Sequence, residues 1–318
     1  MNHPNPPLII IVGPTASGKT AVVNGLATER PGLIISADSM QVYRYMDIGT
    51  AKPTPAERVQ FSYHLLDVVN PDETFNGAMF LDTARAVIAE KAEPGQPLYV
   101  AGGTGLYVRI LLGGLIDSPG PDETLRKHYK SLEKEYGKAY LYDLLCRRDP
   151  QAAARINPND AVRMIRAFEV LDLTGESIVK KQTEHAFQEK RDYRYLKIGV
   201  RQDKETLQQR IEKRVDLMME IGLLREVETL LARRYGPELK SMQSLGYRHM
   251  VQYLRGEWPL NEAVAAMKRD TWQYAKRQMT WFKKDEEIMW FAPEDLAGIR
   301  RQIEAFLARN QRRKGEKP

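Results

Sequence analysis

Residues 13–20 read Gly-Pro-Thr-Ala-Ser-Gly-Lys-Thr and directly follow the apolar run Leu8–Val12. This is the G-x-x-x-x-G-K-[ST] phosphate loop, with a strand candidate before it and a helical run after it. Gly13 and Gly18 let the backbone curl so that successive N–H groups point at an anion, with Thr15, Ala16 and Ser17 between them. Lys19 can place an ammonium on the terminal phosphates, and the Thr20 hydroxyl can join a Mg²⁺ site. The helix starting near Ser17 adds the positive end of its dipole. The motif fixes a phosphate compound as ligand without saying which one or what happens to it.

Two further apolar runs, Leu33–Ala37 and Leu98–Ala101, alternate with helical stretches over 19–30 and 75–91. Continuous apolar strands separated by helices predict a parallel sheet flanked by helices, an α/β phosphate-loop fold. After the breaker cluster Ser118-Pro119-Gly120-Pro121 come helical runs over 122–136, 138–148, 151–156 and 160–173, then a polar stretch over 180–192. Tyr195–Val200 reads as a return to the sheet, followed by helices over 204–235, 260–282 and 294–309. A short strand candidate, Ile288–Phe291, lies between the last two, and the tail from Arg309 is basic. The expected organisation is a core of residues 1–116 together with 194–318, interrupted by an all-helical insertion over 117–193.

Charge is unevenly spread. Residues 1–116 carry 8 Lys+Arg against 10 Asp+Glu, and the rest carry 40 against 32. Such a basic remainder is either a set of solvated helix faces or a surface for a polyanion. With a single cysteine, Cys146, the chain has no intrachain disulfide and no cysteine-based zinc cluster. No apolar run approaches the ~18 residues that a membrane span needs. Pro4, Pro6 and Pro7 replace the basic start of a secretory signal. The expectation is a cytoplasmic monomer without membrane contact.

In folds of this kind ligands sit at the carboxyl ends of strands. The second apolar run ends in Asp38-Ser39-Met40-Gln41. Asp38 there can hold Mg²⁺, accept a proton, or simply make an Asx turn or helix cap. The Leu98–Ala101 run ends in Gly102-Gly103-Thr104, where an ATPase would carry a magnesium-binding acid. Thr104 offers a neutral hydroxyl or a helix cap. Arg163 and Arg166, at i, i+3, and Arg210 and Arg214, at i, i+4, suit phosphate oxygens or neighbours such as Glu169 and Glu212. Gly246-Tyr247-Arg248 and the Trp272–Phe282 segment interleave aromatic and basic residues, as surfaces that stack on splayed bases do; the same segment can also bury Trp272, Met279 and Phe282. No histidine pair has metal-ligand spacing.

Taken together, these motifs resemble bacterial tRNA dimethylallyltransferases, also called tRNA isopentenyltransferases. The resemblance rests on Gly13–Thr20, Ser36–Tyr43, Met46-Asp47-Ile48-Gly49-Thr50-Ala51-Lys52-Pro53, Gly102–Tyr107, Asn157–Asp160, Gly246–Arg248 and Tyr274–Trp281, in order along the chain. It implies transfer of a five-carbon allyl group from dimethylallyl diphosphate to the N6 amine of the adenine at position 37 of tRNA, just 3′ of the anticodon. The phosphate loop would then cradle a leaving diphosphate, with Mg²⁺ near Thr20. The resemblance further implies Asp38 as base, and Arg214, chosen over Arg210, and Thr15 in catalysis. For tRNA it implies contacts from Asp38, Ser39, Met40, Gln41, Thr104, Arg126, Arg163 and Arg166. Gly246, Tyr247, Arg248 and Arg277 are expected on the RNA side as well. Three other readings stand beside it: a small-molecule kinase with a helical lid, a basic RNA-binding module, and a prenyltransferase acting on free adenine nucleotides.

Overall fold

The computed structural model describes residues 6–93, 95–185 and 193–315, with side chains to residue 308. In chain order the elements are β1 (Leu8–Val12), α1 (Lys19–Glu29), β2 (Leu33–Ser36), α2 (Pro55–Gln60), β3 (Ser62–His64), α3 (Gly77–Lys91), β4 (Leu98–Gly102) and α4 (Gly105–Gly113). They continue as α5 (Glu123–Arg148), α6 (Pro150–Ala153), α7 (Ala161–Thr174) and α8 (Ile178–His185). The last group is β5 (Tyr195–Val200), α9 (Lys204–Glu220), α10 (Leu223–Ala232), α11 (Tyr247–Leu254), α12 (Leu260–Phe282), β6 (Met289–Phe291) and α13 (Leu296–Gly315). The chain divides into two compact units, Met1–Leu111 with Asp192–Pro318, and Leu112–Arg191.

The first unit is built on a six-stranded sheet in the order β3-β2-β4-β1-β5-β6. Every pairing is parallel, as the unbroken apolar strands predict. β1 is buried at all five positions and lies centrally between β4 and β5. Its register sets Val12 opposite both Gly102 and Gly199, and Ser36 faces Ala101. The carboxyl ends of β2, β4, β1 and β5 therefore finish level, so the loops that follow them converge. Ile9, Ile11, Val22, Leu26, Tyr99, Ile198 and Ile299 form the core between the sheet, α1 and α13.

Several elements differ from expectation. β3 is a three-residue edge strand with a polar, partly exposed sequence, so it carries no apolar signal. The helix expected over 204–235 is two helices, parted at Gly222, whose φ of 103° lies in the left-handed region. α8 occupies part of the stretch expected to be only polar, and α2, α4 and α11 were not expected as helices. Within α12, Ala275, Gln278 and Phe282 are buried while Trp272 and Met279 are only half-buried, because the buried face is rotated from the one expected. The stretch 186–192 and the side chains of the basic tail from residue 309 lie outside the described residues.

The second unit is helical. Tyr129, Leu141, Leu145, Met164, Ile165 and Phe168 form its core, with the Tyr129 and Phe168 rings stacked 4.4 Å apart. α5 loses helical geometry at Gly137, where φ is 83°, so it consists of the two helices expected on either side of that residue. The fully buried Glu169 carboxylate gathers this unit. It accepts from the Asp122 amide (2.6 Å) and Arg126 Nε (2.9 Å), and it pairs with Arg166. Burial pushes its pKa up, but Arg166, the Asp122 amide and Arg126 outweigh that and hold it below the usual carboxyl range. The stabilisation is thus present above the unfolded-state pKa and is lost as pH falls through the lowered value. Glu169→Ala is expected to cost about 3 kcal/mol in urea denaturation, since it strands an amide and two guanidinium groups together.

Candidate active site

The carboxyl ends of β1, β2 and β4 border a cavity of about 610 Å³. The phosphate loop forms one wall. Gly13 has φ 150°, and a Cβ there would lie 2.3 Å from the Val200 carbonyl oxygen, so the loop can hug β5 only with glycine. Gly18, with φ 105°, opens α1. Ala16 also takes a positive φ, 63°, although it has a side chain. Lys19 Nζ donates to the Pro14 carbonyl at 2.7 Å, folding back over its own loop. Thr20 is exposed and lines the cavity. Ser17 Oγ is buried with no hydrogen-bond partner among the described residues.

α9 lays two guanidinium groups on this loop. Arg210 Nε donates to the Ala16 carbonyl at 2.9 Å, and Arg214 donates to the Thr15 hydroxyl at 3.3 Å. The i, i+4 spacing puts both on one face, and both line the cavity. Glu212, the alternative partner, is instead held by Gln208. With so many cations in a buried corner, burial first and Arg214 second bring the Lys19 ammonium down to about 7, against the opposing pull of Asp38. An anion in the loop must raise it again, so binding takes up a proton above neutrality. Affinity for inorganic diphosphate is therefore expected to fall as pH rises from about 7 to about 9, with a shallower fall in Lys19→Arg, whose charge does not titrate there. Calorimetric titration at several pH values checks this.

Asp38 follows β2 and lines the same cavity. Its Oδ1 accepts from the amides of Met40 (2.8 Å) and Gln41 (3.4 Å), which is the Asx turn foreseen as one option. Burial nonetheless raises its pKa, more than those amides and Lys19 lower it. A half-buried carboxylate of raised proton affinity beside an anion cradle is suited to accept a proton.

The β2 and β4 ends are tied together. Thr104 Oγ1 accepts from the Ser39 amide at 3.1 Å, and the Thr104 carbonyl accepts from Tyr107 and Val108 at the start of α4. Thr104 thus serves as a helix start and a loop tie. Gly102 and Gly103 allow contact that a side chain would block: added Cβ atoms would lie 2.1 Å from the Ala37 oxygen and 2.2 Å from Gln278 Nε2. Gln41 is used internally, accepting from Ser36 and donating to the Thr50 and Ala51 carbonyls.

Two residues that the sequence did not single out organise this region. Gln278, on α12, accepts from the Thr15 amide (2.8 Å) and donates to the Gly103 carbonyl (2.9 Å), joining the phosphate loop to the β4 end. Its inward position follows from helical spacing to the buried Ala275 and Phe282. Glu226, on α10, accepts from three successive amides, Asp47, Ile48 and Gly49, at 2.8–3.2 Å, and also from the Tyr247 hydroxyl. No local signal marks it. It holds the loop bearing Gly49, Thr50 and Ala51, which line the cavity.

The expectation that Gly246 and Tyr247 touch RNA is corrected. Tyr247 is fully buried, with its ring against Gly49 and its hydroxyl on Glu226. Gly246 is buried beside Met267 and opens α11. Arg248 and Arg277 do reach the cavity, Arg248 paired with Asp270. Arg126, Arg163 and Arg166 belong to the other unit. Arg126 and Arg166 are committed to Glu169, whereas the Arg163 side chain is 66% exposed.

Among the described residues there is no cluster of three or more His, Cys, Asp or Glu able to hold a metal alone. No helix is long and apolar enough to cross a membrane.

Comparison with known proteins finds relatives over nearly the whole chain. The IPP transferase family model matches residues 41–285, and the isopentenyl transferase model matches residues 6–67. The chain is 55% identical over 302 residues to tRNA dimethylallyltransferase 2 of Syntrophus aciditrophicus, covering 95% of this chain and 97% of that one. It is 50% identical to tRNA dimethylallyltransferase 2 of Geotalea uraniireducens over the same shares. Among solved structures, the full-length tRNA isopentenylpyrophosphate transferase from Bacillus halodurans superposes with a TM-score of 0.71 at 38% identity, over 98% of this chain and 99% of that one. A eukaryotic dimethylallyltransferase acting on tRNA gives 0.74 at 27% identity, over 92% and 75%.

Proposed function

The chain belongs to the IPP transferase family, and from that premise we propose that it is a tRNA dimethylallyltransferase. It transfers the dimethylallyl group of dimethylallyl diphosphate to the N6 amine of the adenine just 3′ of the anticodon, releasing diphosphate. The observation that carries the reading is the pairing, in one cavity, of a phosphate cradle with a carboxylate of raised proton affinity, at a β4 end that has glycines in place of an acid.

The chemistry needs a leaving group made stable and a weak nucleophile made stronger. Lys19, Arg214 and the loop amides hold the diphosphate. As the allylic C–O bond lengthens, negative charge grows on that group, and preset cations and amides meet it without reorganising. The unpaired Ser17 hydroxyl, buried in the loop, suits a ligand oxygen. Thr15 keeps Arg214 over the loop through its hydroxyl, and Gln278 fixes its amide. Across the allyl group, the adenine amine is a poor nucleophile because its lone pair is delocalised into the ring. Asp38 takes the N6 proton as the C–N bond forms, on Oδ2, which has no hydrogen bond among the described residues.

Mg²⁺ fits this donor set. The ion keeps most of its water and prefers substrate phosphates, so the Thr20 hydroxyl is a sufficient protein ligand. When bound it adds positive charge at the leaving diphosphate.

On the RNA side, Ser39, Met40 and Gln41 line the wall beside Asp38, Thr104 holds the Ser39 amide, and Arg248 and Arg277 supply cations at the cavity for the RNA backbone. Arg163 has an exposed guanidinium and is assigned to the anticodon stem-loop, while Arg126 and Arg166 shape the helical unit through Glu169. Every group named belongs to one chain, so the reading needs no second copy. The cytoplasm is the compartment that holds the substrate tRNA.

The test is incubation of the purified protein with radiolabelled dimethylallyl diphosphate and unmodified tRNA, with labelled ATP in a parallel tube. Label on an adenosine beside the anticodon supports the reading. Label passing only from ATP to a small acceptor overturns it in favour of a kinase.

A further inference from the structure

We propose that Met218, backed by Val215 and Met267, limits the length of the prenyl chain that the enzyme transfers. The inference rests on the dimethylallyl reading and adds a specificity determinant to it. α9 grades along one face. Arg210 and Arg214 touch the phosphate loop at Ala16 and Thr15, and Val215 and Met218 continue the cavity lining beyond them. Four residues of helix, from Arg214 to Met218, advance about 6 Å along the axis. That is roughly the extended length of one dimethylallyl group measured from its diphosphate oxygen, with C–C bonds of about 1.5 Å.

α12 repeats the gradient. Gln278 is bonded to the Thr15 amide, and Tyr274, Thr271 and Met267 line the cavity at successive turns away from the loop. Val215, Met218 and Met267 are 1%, 8% and 2% exposed. These buried apolar side chains line the cavity as a wall about one helical turn beyond Arg214. Met267 is held in place against Gly246, where its methyl would lie 3.1 Å from an added Cβ. A five-carbon chain ends at this wall. A ten-carbon chain must displace these buried side chains, which carries the cost of overpacking.

The transfer itself is unchanged by chain length. The N6–C1 bond forms, the C1–O bond breaks with its electron pair going to the diphosphate oxygen, and the N6 proton goes to Asp38.

The test compares kcat/KM for dimethylallyl and geranyl diphosphate, with unmodified tRNA, in the wild-type protein, Met218→Ala and Met267→Ala, and in the milder Met218→Val should the alanine variant not fold. Wild type is expected to favour the five-carbon donor by about 10²-fold or more. Met218→Ala is expected to raise the geranyl-to-dimethylallyl ratio by about tenfold or more, and Met267→Ala in the same direction. An unchanged ratio in the folded Met218 and Met267 variants overturns the proposal. Failure of the wild type to transfer dimethylallyl overturns the parent reading instead, so the two failures are distinguishable.

Discussion

Asp38→Asn is expected to cut kcat by about 10²-fold or more while leaving tRNA affinity nearly unchanged. Asparagine keeps the acceptor oxygen that receives the Met40 and Gln41 amides, so the turn that orients the β2 end survives. What it loses is the capacity to take the N6 proton. A hundredfold loss corresponds to about 2.7 kcal/mol of transition-state free energy. The wild-type pH profile is expected to carry the same signature. Burial raises the Asp38 pKa, so on the acid side the rate falls through a value above that of an ordinary aspartate. That limb should vanish in the variant. Single-turnover transfer at several pH values, with tRNA binding measured separately, checks both points. Near wild-type turnover in Asp38→Asn is incompatible with Asp38 as the base.

Arg214→Ala is expected to lower kcat by about 10²–10³-fold, the scale for losing one preset donor to a charge that develops only in the transition state. The ground-state diphosphate keeps Lys19 and the loop amides, so KM should rise far less than kcat falls. Arg214→Lys should recover little, because it cannot both bond the Thr15 hydroxyl and present a planar fork to a phosphate oxygen. Arg210→Ala should act differently. Arg210 is spent on the Ala16 carbonyl, so its loss loosens the cradle and weighs on KM. Steady-state kinetics in dimethylallyl diphosphate for the three variants separates these outcomes.

Much of the fold was legible because burial on both faces leaves an unmistakable pattern. β1 and β5 are unbroken apolar runs, and α12 has the bounds that its periodicity predicts. β3 was invisible since Ser62-Tyr63-His64 is short, polar and at an edge. In the site, the phosphate loop and Asp38 could be placed from their positions after strands. Tyr247 could not. An aromatic residue beside Arg248 looks the same whether it stacks on a base or fills a core, and only the fold shows its hydroxyl on Glu226. Glu226 was illegible for a related reason. It serves amides about 180 residues away, at Asp47–Gly49, and nothing local distinguishes it from a solvated helix acid. Arg126 and Arg166 show the converse. The family resemblance implied RNA contacts for both, but in this structure both are committed to one fully buried carboxylate.

In the proposed reaction this phosphate loop cradles a departing diphosphate and does not hydrolyse a nucleotide. The most direct measurement follows transfer with dimethylallyl diphosphate labelled in both the allyl group and the β-phosphate, in the absence of any nucleoside triphosphate. One diphosphate is expected for each allyl group fixed to tRNA, with no orthophosphate. Transfer that requires ATP, or that releases orthophosphate in step with RNA labelling, would contradict it.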